Sequence, residues 1–520
     1  MHENREISRT SCSKEQDRSA KAINQTADMH VPEKSDCAVV PVNQSNREAQ
    51  ASAEAGEGRT QTKENIVQSH MRPTQSGQRV SQGLHGVRQA ARKRKQERFT
   101  ALLHHLNVGL LRDSFYALKR QASPGIDGVK WQEYEPGLED RLTDLHSRVH
   151  RGAYRAQPSR RVYIPKADGR QRPLGVAALE DKIVQQAVVT VLNQIYEADF
   201  KGFSYGFRPG RSPHQALDAL TVGIQRKRVN WVIDADIRGF FDNMSHEWTM
   251  KFIEHRVADR RILRLIQKWL KAGVSEDGRR SETKVGTPQG AVVSPLLANV
   301  YLHYVFDLWV EVWRKKVARG DVIAVRYADD LVVGFQHRAD AERFLSEFRD
   351  RLVRFGLELH PDKTRLIEFG RFAVRNLKQR GQGKPETFTF LGFTHFCGNL
   401  TSSGAFNVWR ITAKKRMVAK LHVIKAELQY RKHHRTSDVG AWLRKVVQGY
   451  YQYHAVPGNT GQLRVFRRRV CRLWRSVLVR RSQRAQVGWD RLNPLLNRWI
   501  PHPRVLHPYP DKRFDAIHPR

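Results

Sequence analysis

Two stretches of this chain set carboxylates where apolar runs end. Trp231, Val232, Ile233, Asp234, Ala235 and Asp236 lead into Ile237, Arg238, Gly239, Phe240, Phe241 and Asp242. The Val/Ile-rich half predicts a strand whose end presents acids. Further on, Val322, Ile323, Ala324, Val325, Arg326 and Tyr327 precede Ala328, Asp329 and Asp330, and Leu331, Val332, Val333 and Gly334 follow. Two β-rich runs around a tight Ala-Asp-Asp turn predict a hairpin with two adjacent acids at its tip. Neighbouring carboxylates repel unless a cation sits between them, and burying them uncompensated is costly. A pair of Mg²⁺ ions relieves both problems. Two metals about 4 Å apart stabilise the attacking and leaving oxygens of an in-line phosphoryl displacement. Mg²⁺ prefers carboxylate and phosphate oxygens and keeps several waters; Mn²⁺ is a possible substitute. Asp-Asp is also ordinary turn chemistry, and Asp236 alone would serve as a strand-end cap. The carboxylates therefore need company before they carry a function.

The elements around them follow from patterning. Residues 1–95 are rich in Ser, Gln, Asn, Glu and Lys with few large apolar residues, and end on Arg92, Lys93, Arg94 and Lys95. Such a stretch buries too little surface to offset its ordering entropy, and is expected to be a disordered polar and basic tail. Phe99, Leu102, Leu103, Leu106, Leu110 and Leu111 then recur at helical spacing and open the folded part. From residue 161 to about 400, short β-rich runs alternate with helical stretches, which indicates an α+β body. Residues 379–385 read as a loop or hairpin tip. After Thr412 strands give way to basic helical patterns, one with Lys414, Lys415, Arg416 and Lys420, a second over residues 463–481. Residues 501–520 are rich in Pro and His and predict irregular structure.

The chain has 520 residues and a formal net charge of +39. A surplus of Arg and Lys attracts polyanions through counterion release, and the guanidinium fork suits phosphate. Cys12, Cys37, Cys397 and Cys471 lie far apart in the sequence, so no disulfide framework or zinc finger is legible. That fits a reducing cytosol. Neither a signal peptide nor an apolar run long enough for a bilayer is apparent, and no membrane partner is expected.

With these residues in place, the chain resembles the reverse transcriptases, and among them those encoded by group II introns. Tyr327, Ala328, Asp329 and Asp330 resemble the palm hairpin signature, and residues 236–242 the first metal-binding strand. Thr287, Pro288, Gln289, Gly290 and Ala291, with Ser294, Pro295, Leu296, Leu297, Ala298 and Asn299, are similar to the template–primer and nucleotide-contacting segment. Ile164, Pro165 and Lys166 with Arg172, Pro173, Leu174 and Gly175, and Tyr205, Gly206, Phe207, Arg208, Pro209, Gly210 and Arg211, are further matches. Residues 123–128, 360–364 and 390–393 complete a set that occurs in family order. One departure is Ala291, where many relatives carry a second Gly.

The resemblance implies a right-hand polymerase: an N-terminal extension (96–160), fingers and palm (161–400), a helical thumb or maturase domain (401–500) and a tail (501–520). It implies that Asp236 and Asp329 hold both metals, with Asp330 the adjacent, less directly coordinating acid. Asp236 is chosen over Asp234 because the family's aromatic lies five positions after its metal-binding acid. Phe241 occupies that place, where a ring blocks a ribose 2′-hydroxyl, and Phe240 is left as core. Lys166 and Arg172 would clamp the incoming triphosphate, Gln289 would contact nucleotide or template, and Lys363 is a candidate proton donor to pyrophosphate. For RNA binding, Arg208, Arg211, Lys414, Lys415, Tyr450, Arg467, Arg468 and Arg472 are the candidates, since a cationic surface with stacking side chains suits structured RNA. Implied partners are group II intron RNA, an RNA template with DNA primer, a DNA target and deoxynucleoside triphosphates, in a cytoplasmic ribonucleoprotein. No nuclease-like cysteine and histidine pattern follows Arg504, so no second-strand endonuclease is expected. Two alternatives stay open: an RNA-binding splicing factor that no longer polymerises, and a reverse transcriptase of another class, such as a retron, diversity-generating or CRISPR-associated enzyme.

Overall fold

The computed structural model describes residues 75–165, 171–276, 279–281, 285–400, 403–481 and 488–518. Helix α1 (Gln75–Lys93) opens the described chain. It is followed by α2 (Val108–Ala117) and α3 (Leu138–His150), then the hairpin β1 (Ser159–Pro165) and β2 (Gln171–Val176). Two long helices come next, α4 (Leu179–Asp199) and α5 (Pro213–Arg226). Strand β3 (Trp231–Asp236), α6 (His246–Glu254), α7 (Arg260–Lys271), and the short strands β4 (Val274–Glu276) and β5 (Arg279–Ser281) follow. Then α8 (Ser294–Leu302) runs through a π turn (His303–Asp307) into α9 (Leu308–Lys316). The hairpin β6 (Val322–Tyr327) and β7 (Asp330–Phe335) precedes α10 (Arg338–Arg354), β8 (Arg365–Glu368) and α11 (Ala373–Gln379). Strands β9 (Phe388–Phe390), β10 (Phe393–Asn399) and β11 (Phe406–Thr412) lead to α12 (Lys414–Tyr430), α13 (Thr436–His454), α14 (Thr460–Val479), α15 (Trp489–Trp499) and α16 (Pro510–Ile517). The α+β expectation is met.

The central sheet has strand order β6-β7-β3-β8, antiparallel throughout. Side chains alternate across it with period two. On one face Ile233, Ala235, Ile237, Leu331, Val333 and Phe335 join the largest core, with α4, α8 and α10. On the other face Val232, Val332 and Val325 pack against α5 and the β11-β10-β9 sheet. A third core is purely helical and lies among α12, α13, α14 and α15.

Four expectations need correction. Residues 75–93, assigned to the disordered tail, form α1, which lies against α4. Leu84, Val87 and Ala91 supply a narrow buried stripe inside a polar sequence. Arg256 fixes the helix end by donating to the carbonyls of Ala91, Arg94 and Glu97. The apolar run from Phe99 is not one helix: it breaks into a 3₁₀ turn at Leu103–His105 and α2, whose N-cap is Asn107. The boundary at residue 400 cuts a sheet, because β10 pairs with β11 along its whole length. Finally, residues 510–517 are helical, and Asp515 and Arg513 pair with Arg226 and Asp218 of α5. Residues 1–74 lie outside the described part.

Candidate active site

Strands β3 and β7 are in register such that Asp236 faces Asp330 across the ladder. Directly opposed Cα atoms in an antiparallel pair lie about 5 Å apart, and their side chains share a face. Asp329 is the next residue, one peptide (about 3.8 Å) away, so the Cα atoms of Asp236 and Asp329 stand within about 9 Å. Asp236 and Asp330 are buried and Asp329 partly exposed. The three predicted acids thus come together at one end of the central sheet. Asp234 lies on the same face but two residues deeper, about 7 Å along the strand, with Arg365 3.7 Å from its carboxylate.

The turn that carries Asp329 is tight. Tyr327 pairs with Asp330, leaving residues 328 and 329 as a two-residue loop. Ala328 takes φ +54° at the first of them. Primed hairpin turns need this geometry because it matches strand twist. A left-handed alanine costs about 1 kcal/mol or more, so the surroundings must over-determine it. They do: a Cβ on Gly206 would stand 2.2 Å from the Ala328 nitrogen, so the backbone of residue 206 packs directly against the turn.

A buried polar chain meets the turn from below. Arg326 donates to Asp307 through Nε (2.7 Å) and Nη2 (2.6 Å) and, through Nη1, to Asn299 Oδ1 (2.9 Å) and the Ala328 carbonyl (3.2 Å). Asn299 Nδ2 donates in turn to the Gly206 carbonyl at 2.8 Å. Arg326 and Asp307 are both 0% exposed. Burial alone would raise the Asp307 carboxyl, but Arg326 and His303 hold it below the ordinary range.

Lys363 stands beside one of the acids, and Arg172 is joined through Gln289 to Asp242. The loop after α10 pairs with the end of β3: the His360 amide donates to the Asp236 carbonyl, and the Arg238 amide to that of Glu358. This sets the Lys363 ammonium 3.3 Å from Asp236 Oδ2. Arg172 on β2 donates from Nε to Gln289 Oε1 at 2.8 Å, and Gln289 Nε2 lies 3.4 Å from Asp242. Phe240 is buried in the core, while Phe241 packs on its edge, half-buried. The Thr287 amide donates to the Phe241 carbonyl at 2.8 Å, which ties the backbone of Phe241 to the segment that carries Gln289. Gly290, not position 291, carries the left-handed backbone, at φ +110°, so Ala291 fits without strain. Lys166 lies outside the described residues.

The expected RNA-contacting residues divide. Arg208 is buried, binds Glu197 (Nη2 to Oε2, 2.9 Å) and donates to the Lys201 and Ser204 carbonyls. It is a brace, and its guanidinium does not face solvent. Tyr450, 2% exposed, stacks on Phe466 with centroids 3.7 Å apart; it is a core residue. Both corrections have one cause: sequence patterning does not distinguish a snorkelling cation or ring from one held by a distant partner. Arg211 is half-buried over the Tyr205 ring. Arg467 ties α14 to α15 through Asn497 and the Ile500 carbonyl. Lys414, Lys415, Arg468 and Arg472 are exposed. Arg464, not among the candidates, is exposed too, and with Arg468 and Arg472 it follows i, i+4, i+8 spacing along α14. That periodicity was readable in the sequence.

Residues 164–395 match the family model described as reverse transcriptase (RNA-dependent DNA polymerase). The chain is 36% identical over 276 residues to Protein YkfC of Escherichia coli, covering 47% of this chain and 72% of that protein. It is 36% identical to the group II intron-encoded protein LtrA of Lactococcus lactis, over 41% of this chain and 36% of LtrA. It is 29% identical to the Arabidopsis thaliana nuclear intron maturase 1, mitochondrial, over 21% of this chain and 15% of that protein. No helix among the described residues is long and apolar enough to cross a membrane. With its carboxylate-tipped β6–β7 hairpin and these relatives, the chain belongs to the group II intron-encoded reverse transcriptase/maturase family.

Proposed function

We propose that this protein is an RNA-directed DNA polymerase that copies intron RNA and binds that RNA as a maturase. The observation that carries the reading is the facing of Asp236 and Asp330 across the β3–β7 ladder, with Asp329 in the turn between β6 and β7. Among the described residues no three His, Cys, Asp or Glu side chains close into a preformed metal cage. Mg²⁺ takes much of its shell from water and substrate phosphate, so facing acids suit it better than a closed cage. The Lys363 ammonium beside Asp236 marks the same place as one that attracts positive charge. Asp236 and Asp329 would hold the ions, with Asp330 adjacent. Bound there, the ions supply charge stabilisation to the attacking and leaving oxygens.

The chain's own groups do the rest. Arg172, with Lys166, binds the triphosphate, since phosphoryl transfer depends on positioning and charge neutralisation. Gln289, held by Arg172, orients the nucleotide. Phe241 excludes a 2′-hydroxyl, which favours deoxynucleotides. The primer 3′-oxygen bonds to the α-phosphorus as the bond to the bridging oxygen of the β-phosphate breaks. The 3′-hydroxyl proton leaves to solvent, and Lys363 gives a proton to pyrophosphate. The Arg464, Arg468 and Arg472 stripe supports the RNA role. Like charges at i, i+4 disfavour a helix by about 0.2–0.5 kcal/mol per pair, a cost that a bound phosphate backbone removes. The test is primer extension on an RNA template. Wild type should extend with deoxynucleotides and Asp329→Ala should not; equal extension by both, or none by wild type, overturns the reading.

A further inference from the structure

The chain of Asp307, Arg326, Asn299 and Gly206 touches no substrate in the chemistry above, yet it closes around the turn that carries Asp329. Arg326 reaches the turn directly, at the Ala328 carbonyl, and indirectly through Asn299 and the Gly206 carbonyl. Its backbone also holds the Gly206 loop: the Tyr205 amide donates to the Arg326 carbonyl, and the Arg326 amide to that of Phe203. Gly206 then rests on the Ala328 nitrogen. The turn is therefore held from its carbonyl side and its amide side by parts that share one guanidinium.

The π turn makes this closure possible. Asn299 lies on α8 and Asp307 ends the π turn. At about 100° per residue, eight α-helical residues overshoot a common face by about 80°. The extra residue of a π turn takes back about one such step. Both side chains then point at Arg326. A single π turn inside an otherwise regular helix is commonly found at functional sites, and here it delivers the only carboxylate that Arg326 binds with both arms among the described residues.

We propose that Arg326, Asp307 and Asn299 are positioning residues: together they fix where Asp329 and Asp330 stand, and so set cation affinity and turnover without contacting substrate. This rests on the polymerase reading above. A merely structural role makes a different prediction, because a buried ion pair replaced on both sides by apolar residues of similar size commonly keeps the fold. The paired variant Asp307→Leu with Arg326→Met removes the arms to Ala328 and Asn299 and takes out both charges of the buried pair together.

The experiment uses the full chain as wild type, the paired variant, Asn299→Ala and, as control, Asp329→Ala. Melting temperature, template–primer affinity, kcat and KM for deoxynucleotide against Mg²⁺ concentration, and Mn²⁺ affinity by electron paramagnetic resonance are measured. The expectation for the paired variant is near-wild-type template–primer affinity and KM, with kcat down about tenfold or more, since small misplacements of reacting groups cost up to about 100-fold. Weaker Mn²⁺ binding and a higher Mg²⁺ requirement should accompany it. Asn299→Ala, which leaves the ion pair in place, should shift cation affinity in the same direction. A folded paired variant with unchanged kcat and Mn²⁺ affinity overturns the proposal. So does an unshifted Asn299→Ala, should the paired variant not fold. If wild type itself extends no primer, the polymerase reading falls, while Mn²⁺ affinity still decides the positioning role.

Discussion

Replacing Gly206 with alanine should disable polymerisation from a position that carries no chemistry. The added methyl would stand 2.2 Å from the Ala328 nitrogen, 2.9 Å from the Tyr327 carbonyl carbon and 3.1 Å from the Ala328 Cα. All three are backbone atoms of the turn, so no side chain can swing aside. Ordinary carbon contacts lie at about 3.5–4.0 Å, so the turn must retreat by more than about 1 Å. Overpacking of this kind costs about 1–3 kcal/mol, which a fold of this size tolerates. Catalysis is less forgiving: a 1 Å misplacement of positioned groups costs on the order of 100-fold in rate. Gly206→Ala should therefore fold, bind template–primer normally and lose about two decades of kcat in steady-state primer extension. A variant within about threefold of wild-type kcat would refute the argument that this backbone contact sets the position of Asp329.

Two further outcomes follow from other parts of the molecule. Changing Arg464, Arg468 and Arg472 together to Gln should weaken binding of a folded group II intron RNA. The slope of log affinity against log salt should fall by about 2, at roughly 0.7 per lost phosphate contact; an unchanged slope removes α14 from the interface. Stability should also fall with acid. Burial first, and Arg410 or Arg416 next, lower His395 and His454 to about 3. His214, stacked on His507, is lowered likewise, chiefly by burial and then by His507. A lowered histidine is neutral in the fold and protonated in the unfolded chain between about pH 3 and 6.5, so the unfolded state gains protons there. Stability is then fully present above about pH 6.5 and falls by about 1.4 kcal/mol per pH unit for each buried imidazole below it. Thermal melts from pH 8 to pH 5 should be level at first and drop below about pH 6; a profile level throughout would contradict it.

Much of the site was legible because its signals are local. The β-rich runs of β3 and β7, apolar on both faces, and the Tyr-Ala-Asp-Asp turn are written in consecutive residues, and the two-residue turn fixes the β6–β7 register. What escaped depends on distant partners. Arg326 sits inside an apolar strand run, and nothing near it announces Asp307, which a π turn brings in from the preceding helix. Arg208 reads as a basic surface residue until Glu197 is seen beside it, and Tyr450 as a stacking platform until Phe466 covers it. Helix α1 was hidden differently. Its buried stripe is only Leu84, Val87 and Ala91, too thin to stand out in a polar stretch, and it is held by Arg256 from far along the chain.

The central claim is that Asp236, Asp329 and Asp330 share one pair of divalent cations. The most direct measurement is anomalous diffraction from crystals of the full chain with template–primer, a non-hydrolysable deoxynucleotide and Mn²⁺. Two peaks about 4 Å apart, both ligated by Asp236 and Asp329, are the expected result. A single peak away from Asp236, or none between β3 and the β6–β7 turn, would contradict it.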